Sequence, residues 1–227
     1  MLTLYQFSSC PFCWKVRALL NYAKQPYKTV EVTPMGMKEL EFTEHKKVPV
    51  LTDDGKVIVE SAAIVDYINE NYAHITSNEA SQQWTDWVDE TLVHYLPTLV
   101  HPNFLTSWKN FGVIITAEQY PWYKLPIVRL VGAIVMPKVA KKMKAKHKIN
   151  DVTAEFLAAI DHWALNGLTD RAFYGGDQPD FVDCSVFGVI RSGDQLGVVD
   201  LAKKHNSTFA AWYDRCYPIM SESSITL

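Results

Sequence analysis

The chain has 227 residues, a formal net charge of −3, 48% hydrophobic residues and 12% aromatic residues. That is enough for one large domain or two modest ones with a substantial core, and the charge gives no reason to expect a nucleic-acid partner. Four cysteines are too few for a disulfide scaffold and fit a reduced, cytoplasmic protein; no stretch approaches the ~20 apolar residues of a membrane span, and the N-terminus reads as a strand rather than a secretory signal.

In chain order, residues 2–7 read as a short strand turned by Ser8 and Ser9. Cys10-Pro11-Phe12-Cys13 follows at the start of a helix that ends near Lys24. Residues 28–32 alternate and are β-branched, a second strand. Residues 37–44 read as a short polar helix and residues 48–52 as a third strand. Asp53-Asp54-Gly55-Lys56 is an Asp-Gly hairpin turn, and residues 57–59 return as a fourth strand. Ser61 is expected to cap a helix through Asn71, with Ile64, Val65 and Ile68 on its apolar face. The order βαβαββα is that of thioredoxin, so residues 1–73 form an α/β thioredoxin-like domain.

Residues 74–83 are polar and aperiodic, a linker. Beyond them no convincing strand appears, and residues 84–227 read as an all-helical domain. Trp84, Trp87, Val88, Thr91, Leu92, Tyr95, Leu96 and Leu99 fall at helical spacing. Further helices are expected at about 112–119, 125–146, 151–166, 182–193 and 207–217. The apolar run 125–136 reads as a buried helix. Asp180 as N-cap with Asp183 three residues on resembles a capping box, a structural feature.

The Cys-Pro-Phe-Cys turn carries the chemistry. A thiol at a helix N-terminus meets unpaired N–H groups and the positive end of the dipole, which lowers its pKa below the roughly 8.5 of free cysteine. Pro11 suits the first helical turn. Strand, CxxC, helix is the arrangement of thioredoxin-like redox sites. A zinc site would need a second ligand pair, and Cys184 and Cys216 form no CxxC; no metal is expected.

These features together resemble the glutathione transferase superfamily, cysteine type: an α/β thioredoxin-like N-terminal domain with an all-α C-terminal domain. Cys10 stands at the catalytic position, Val48-Pro49 matches the Val-(cis-Pro) motif, and Glu60-Ser61 matches the acidic-Ser pair. The resemblance implies glutathione as cosubstrate. It assigns the nucleophile to Cys10, with Cys13 resolving or inert. It assigns glutathione contacts to Phe12, Lys47, Val48, Pro49, Glu60 and Ser61. Val48 would pair with the cysteinyl backbone of glutathione, Glu60 would receive the α-ammonium and Ser61 the α-carboxylate. Lys46 and Lys47 would attract the other carboxylate. Ser9 would donate to the thiolate.

Within the superfamily, Leu4-Tyr5-Gln6, Lys15-Val16-Arg17-Ala18, Trp87-Val88-Asp89, Tyr174-Gly175-Gly176 and Lys144-Ala145-Lys146-His147-Lys148 look like the membrane-associated prostaglandin E synthase type 2 group. Two-domain glutaredoxins are the alternative. That group carries a membrane-anchoring N-terminal segment, not expected here, and a long insertion where this chain has the turn at residues 53–56. It also has a tyrosine three residues before the cysteine, where Phe7 stands without a hydroxyl. The resemblance thus yields three readings. The first is a glutathione-dependent thiol transferase or oxidoreductase acting on a small hydrophobic electrophile or a disulfide. The second is a prostaglandin E synthase-like isomerase. The third is a glutathione- or haem-binding protein with little turnover, His94 being the haem-ligand candidate. Tyr95, Phe104, Trp108, Trp122 and Tyr123 are candidates for the electrophile wall. Trp84 and Trp87 would serve a homodimer interface. Six lysines between positions 138 and 148 after an apolar helix suggest peripheral contact with a membrane surface.

Overall fold

The computed structural model describes residues 1–34, 36–76, 78–117, 122–123 and 125–221. The expected helix end at residues 118–119 therefore lies outside the described residues. The N-terminal half contains β1 (Leu2–Gln6), α1 (Pro11–Tyr22), β2 (Tyr27–Glu31), β3 (Val50–Asp53), β4 (Lys56–Val59) and α2 (Ser61–Ile68), the last running on through a wider π-helical turn at Asn69–Ala73. The sheet order is β2-β1-β3-β4; β1 and β2 are parallel, while β3 is antiparallel to β1 and β4. Asp54 and Gly55 both have positive φ, 44° and 88°, as a two-residue hairpin requires.

Three local expectations are corrected. The polar helix at 37–44 is a single 3₁₀ turn, Lys38–Leu40, because Met37 enters it in the left-handed region (φ 44°). The third strand starts at Val50 rather than residue 48, since the peptide bond before Pro49 is cis and the proline has no N–H for the ladder. Ser61 is the first residue of α2, and its N-cap is Glu60.

The C-terminal half is helical: α3 (Glu79–Trp87), α4 (Val93–Val100), α5 (Phe104–Ala117), α6 (Leu125–Lys146), α7 (Val152–His162), α8 (Phe181–Arg191), α9 (Val198–His205) and α10 (Ser207–Met220). Asn78 caps α3 by accepting from Ser81 N at 2.9 Å, so that helix starts five residues before Trp84. α5 begins at Phe104, earlier than its apolar periodicity, and α9 has no counterpart in the sequence reading. The run at 125–136 is not buried as expected. Val128 and Ala133 are covered, but Ile127, Leu130, Val131, Ile134 and Val135 are 40–50% exposed. α6 packs against α4 and α5 on one side, and its outer side has no partner among the described residues. No helix among them is long and apolar enough to cross a membrane.

One core joins the two halves. Leu4, Val16, Leu19 and Ile64 of the first belong to the same buried cluster as Phe156, Trp163, Phe187 and Trp212 of the second. The seam is α1 against α8. A Cβ on Gly188 would lie 2.6 Å from both Lys15 N and Trp14 O, so the two backbones meet there. These are rigid main-chain atoms of the helix that begins at Cys10. Gly188→Ala is expected to cost about 2–3 kcal/mol by overpacking, seen as a melting temperature lower by roughly 5–10 °C. An unchanged melting curve would mean that the helices part freely.

Asp180 and Asp183 open α8 with a reciprocal capping box. Asp183 is fully buried and accepts four N–H groups: Tyr174 N at 3.0 Å, Gly175 N at 3.2 Å, Asp180 N at 2.9 Å and Trp212 Nε1 at 2.7 Å. Burial, with Asp183 beside it, pushes Asp180 up to about 7. The two carboxyls thus fasten the Tyr174–Gly175 loop and α10 to the start of α8.

Candidate functional site

The turn between β1 and α1 is held from several directions. Cys10 N donates to Phe7 O at 3.0 Å, and Trp14 N donates to Cys10 O at 3.0 Å. Glu31, at the end of β2, accepts from Ser8 N at 3.1 Å and from Gln6 Nε2 at 2.6 Å, and it also takes the Ser8 hydroxyl. On the other side Trp14 Nε1 donates to Ser8 O at 2.7 Å. Cys10 is the N-cap of α1, in extended conformation, and Pro11 begins the helix. Its side chain is half-buried, whereas Cys13 is fully buried. Burial pushes the Cys13 thiol well up, and the adjoining Cys10 adds to the effect. At neutral pH Cys13 is therefore a thiol.

Strand register brings the other motifs to the same edge. Tyr5 of β1 pairs with Val50, and Val50 pairs with Val59 of β4. One step beyond that row stand Gln6, Pro49 and Glu60. The Cys10 turn, the cis Val48–Pro49 bond and the Glu60–Ser61 corner thus share one end of the sheet. Glu60 has φ 67° and ψ 130°, a strained backbone for a residue with a Cβ. Its carboxylate is 65% exposed and lies 3.8 Å from His45 Nδ1, a neighbour not expected from the sequence. Pro49 is buried, while Val48 and Ser61 are half-buried. Lys47 is exposed, but Lys46 Nζ donates to Leu40 O at 2.6 Å and Thr43 O at 2.8 Å, so its charge tethers a loop.

A cavity of about 390 Å³ opens from Cys10 toward the helical half. Phe7, Pro11 and Phe12 line it beside Cys10; Leu96 and Val100 of α4, Phe111 of α5, and Val128 and Val135 of α6 form the far wall. Phe12 thus faces apolar space. The expected aromatic wall is corrected. Tyr95, Phe104, Trp108, Trp122 and Tyr123 are not lining residues; Trp122 and Tyr123 are 81% and 60% exposed, and Trp108 packs under Arg129 at 4.4 Å. Trp84 and Trp87 pack within the chain, with Trp163 centred 5.3 Å from Trp84.

Two histidines exchange importance. His94 is not a lining residue: its ring stacks on His147 at 3.7 Å, and burial together with that neighbour holds it down to about 4. Neither His94 nor His147 is among the residues that line the cavity beside Cys10, so the cavity offers no support for the haem reading. His101 does line the cavity. It is buried, lies 3.2 Å from Ser107 Oγ through Nδ1, and is held down to about 4 by burial, so it is a neutral polar group in an apolar wall.

A thioredoxin-like sheet, a cysteine-led helix beside a cis-proline, and a helical half that closes an apolar cavity over it make up the glutathione transferase fold. A beta-etherase from Sphingobium superposes over 98% of this chain and 98% of its own, with a TM-score of 0.65 at 18% identity. It also matches human glutathione transferase theta-2, solved with glutathione, over 97% of this chain and 82% of that one, with a TM-score of 0.59 and 17% identity. Residues 4–79 match the family model of the glutathione S-transferase N-terminal domain. Among curated relatives, prostaglandin E synthase 2 of Mus musculus is 26% identical over 98% of this chain and 71% of its own length. A probable glutathione S-transferase of Nicotiana tabacum is 26% identical over 93% of this chain and 81% of its own.

Proposed function

We propose that the protein is a glutathione-dependent thiol transferase that uses Cys10 as its nucleophile. The observation that carries this is the place of Cys10. It is the N-cap residue of α1, a position where a thiolate is favoured; its turn shares one end of the sheet with the cis Val48–Pro49 bond, and it lines an apolar cavity of about 390 Å³. Glutathione would lie along Val48–Pro49 and reach Glu60–Ser61 at the start of α2. The second substrate would enter from the cavity. The Cys10 thiolate attacks the glutathione sulfur of a mixed disulfide, releasing the partner thiolate and forming Cys10–S–SG. A second glutathione thiolate then attacks that bond, giving glutathione disulfide and freeing Cys10. Electrons balance: each mixed disulfide is reduced to the partner thiol as one free glutathione is oxidised, and the glutathione disulfide released carries that glutathione and the one from the substrate.

Cys13 is a poor resolving group in this scheme, because it is buried and held as a thiol; attack requires the thiolate and access. Its role is to lie beside Cys10. Turnover of a glutathionylated peptide by glutathione tests this. Cys13→Ser is expected to keep at least about half of the wild-type rate. A near-complete loss would make Cys13 the resolving cysteine.

The curated resemblance to prostaglandin E synthase 2 favours isomerase chemistry as a second reading. Phe7 lines the cavity at the place where that reading needs a hydroxyl, so we rank thiol transfer first.

A further inference from the structure

A second cavity, of about 290 Å³, adjoins the apolar one. Ser9, Ile114, Ser192 and Leu196 line both, so the two form one continuous cleft past the Cys10 turn. The chemistry changes along it. The second part is lined by Arg17 of α1, Arg191 at the end of α8, Trp14, Ser8 and Gln195.

Trp14 gathers the two cations. Arg17 Cζ lies 3.8 Å from its ring centroid, and Arg191 Cζ lies 4.9 Å from it. Cation–π contact gives each guanidinium a planar support and leaves its edges for a ligand. The ion pairs among the described residues provide one carboxylate for the two: Asp194 with Arg191, and none with Arg17. The Nε–H of each arginine is buried without a hydrogen-bond partner. Two guanidiniums held on one ring, with one carboxylate between them, give the polar end of the cleft a net positive charge. Fork-shaped donors of that kind suit a carboxylate or a phosphate.

We propose that Arg17 and Arg191 form an anion subsite, and that the molecule taken by this cleft is an amphiphile. Its anionic end sits on the guanidiniums over Trp14, and its apolar body lies against Leu96, Phe111 and Val128. That it is a substrate rests on the assignment of Cys10 as nucleophile; that it binds does not. The lining explains why one cleft holds both a dry half and a charged half. It also gives a reason for two arginines to converge beside Ser8 and Ser9, the residues that lead into Cys10.

Calorimetry with laurate and its neutral ester, methyl laurate, below their aggregation limits tests the subsite. The unaltered protein is expected to bind laurate about tenfold more tightly than the ester, with the gap shrinking as salt is raised. Arg17→Met and Arg191→Met are each expected to weaken laurate about tenfold and leave the ester within about twofold. Equal affinity for acid and ester on the unaltered protein would overturn the proposal, and that comparison needs no variant to fold. So would variants that weaken acid and ester alike. Cys10→Ser separates this from the assigned chemistry: it is expected to retain the preference for laurate, whether or not thiol transfer is lost.

Discussion

Cys10→Ser is expected to lower kcat/KM for glutathione-dependent disulfide reduction by ~10³-fold or more, while the affinity for glutathione changes by no more than about threefold. A serine hydroxyl at the same N-cap keeps the shape of the turn, the Cys10 N to Phe7 O bond and the start of α1. It is not ionised near neutral pH, so it cannot make the first bond to sulfur. A ~10³-fold loss corresponds to about 4 kcal/mol of barrier, all of it in the chemical step. The split between kcat and affinity is the decisive part, because Val48–Pro49, just before β3, and Glu60–Ser61, at the start of α2, would hold glutathione without the cysteine. Retention of more than about a tenth of the wild-type activity would place the reaction on another residue.

Asp183→Ala is the second large effect, and it falls on stability. The carboxylate is completely buried and is the shared acceptor for Tyr174 N, Gly175 N, Asp180 N and Trp212 Nε1. Alanine would orphan four donors in a site with no room for bulk water, and each buried unsatisfied donor costs roughly 1–3 kcal/mol, partly relieved by rearrangement. We expect a loss of about 4 kcal/mol and a melting temperature lower by roughly 10 °C or more. Asp183→Asn, which retains one acceptor oxygen, is expected to fall between the two. The damage should reach the cysteine, since the helix that Asp183 opens is the one whose Gly188 backs onto Trp14 and Lys15. A variant that melts within about 2 °C of wild type would show that water or a shifted loop replaces the carboxylate.

The parts of the fold legible in the sequence are those set by local chemistry. The Asp-Gly hairpin, the proline-led helix behind Cys10 and the Asp180–Asp183 box each depend on a few adjacent residues, and each stands where the sequence puts it. What escaped is set by contacts distant in sequence. Glu31 holds Ser8 because β1 and β2 pair in register with Gln6 opposite Glu31, which no local pattern reveals. The start of α5 was hidden because Phe104 and Leu105 are exposed and break the apolar period; the cap at Asn103, whose Oδ1 accepts from Thr106 N at 2.9 Å, was the available signal. α9 is eight residues long and buries three, too short a stretch for periodicity to register. The cavity wall differs from the sequence expectation for a related reason. Aromatic side chains were the obvious candidates, yet aliphatic residues at helical spacing on α4 and α6 line the space, with Phe111 between them. Gly132 makes room for that ring, since a Cβ there would lie 2.3 Å from it. The arginine pair was unreadable because Arg17 and Arg191 meet only when α1 packs on α8.

The central claim is that Cys10 bonds glutathione sulfur. Peptide mapping by mass spectrometry after brief exposure of the native protein to glutathione disulfide tests it most directly. The account predicts a glutathione adduct on Cys10, removed by added glutathione, with Cys13, Cys184 and Cys216 unmodified as their burial requires. An unmodified Cys10, or an adduct that appears first on any of the other three, would contradict it.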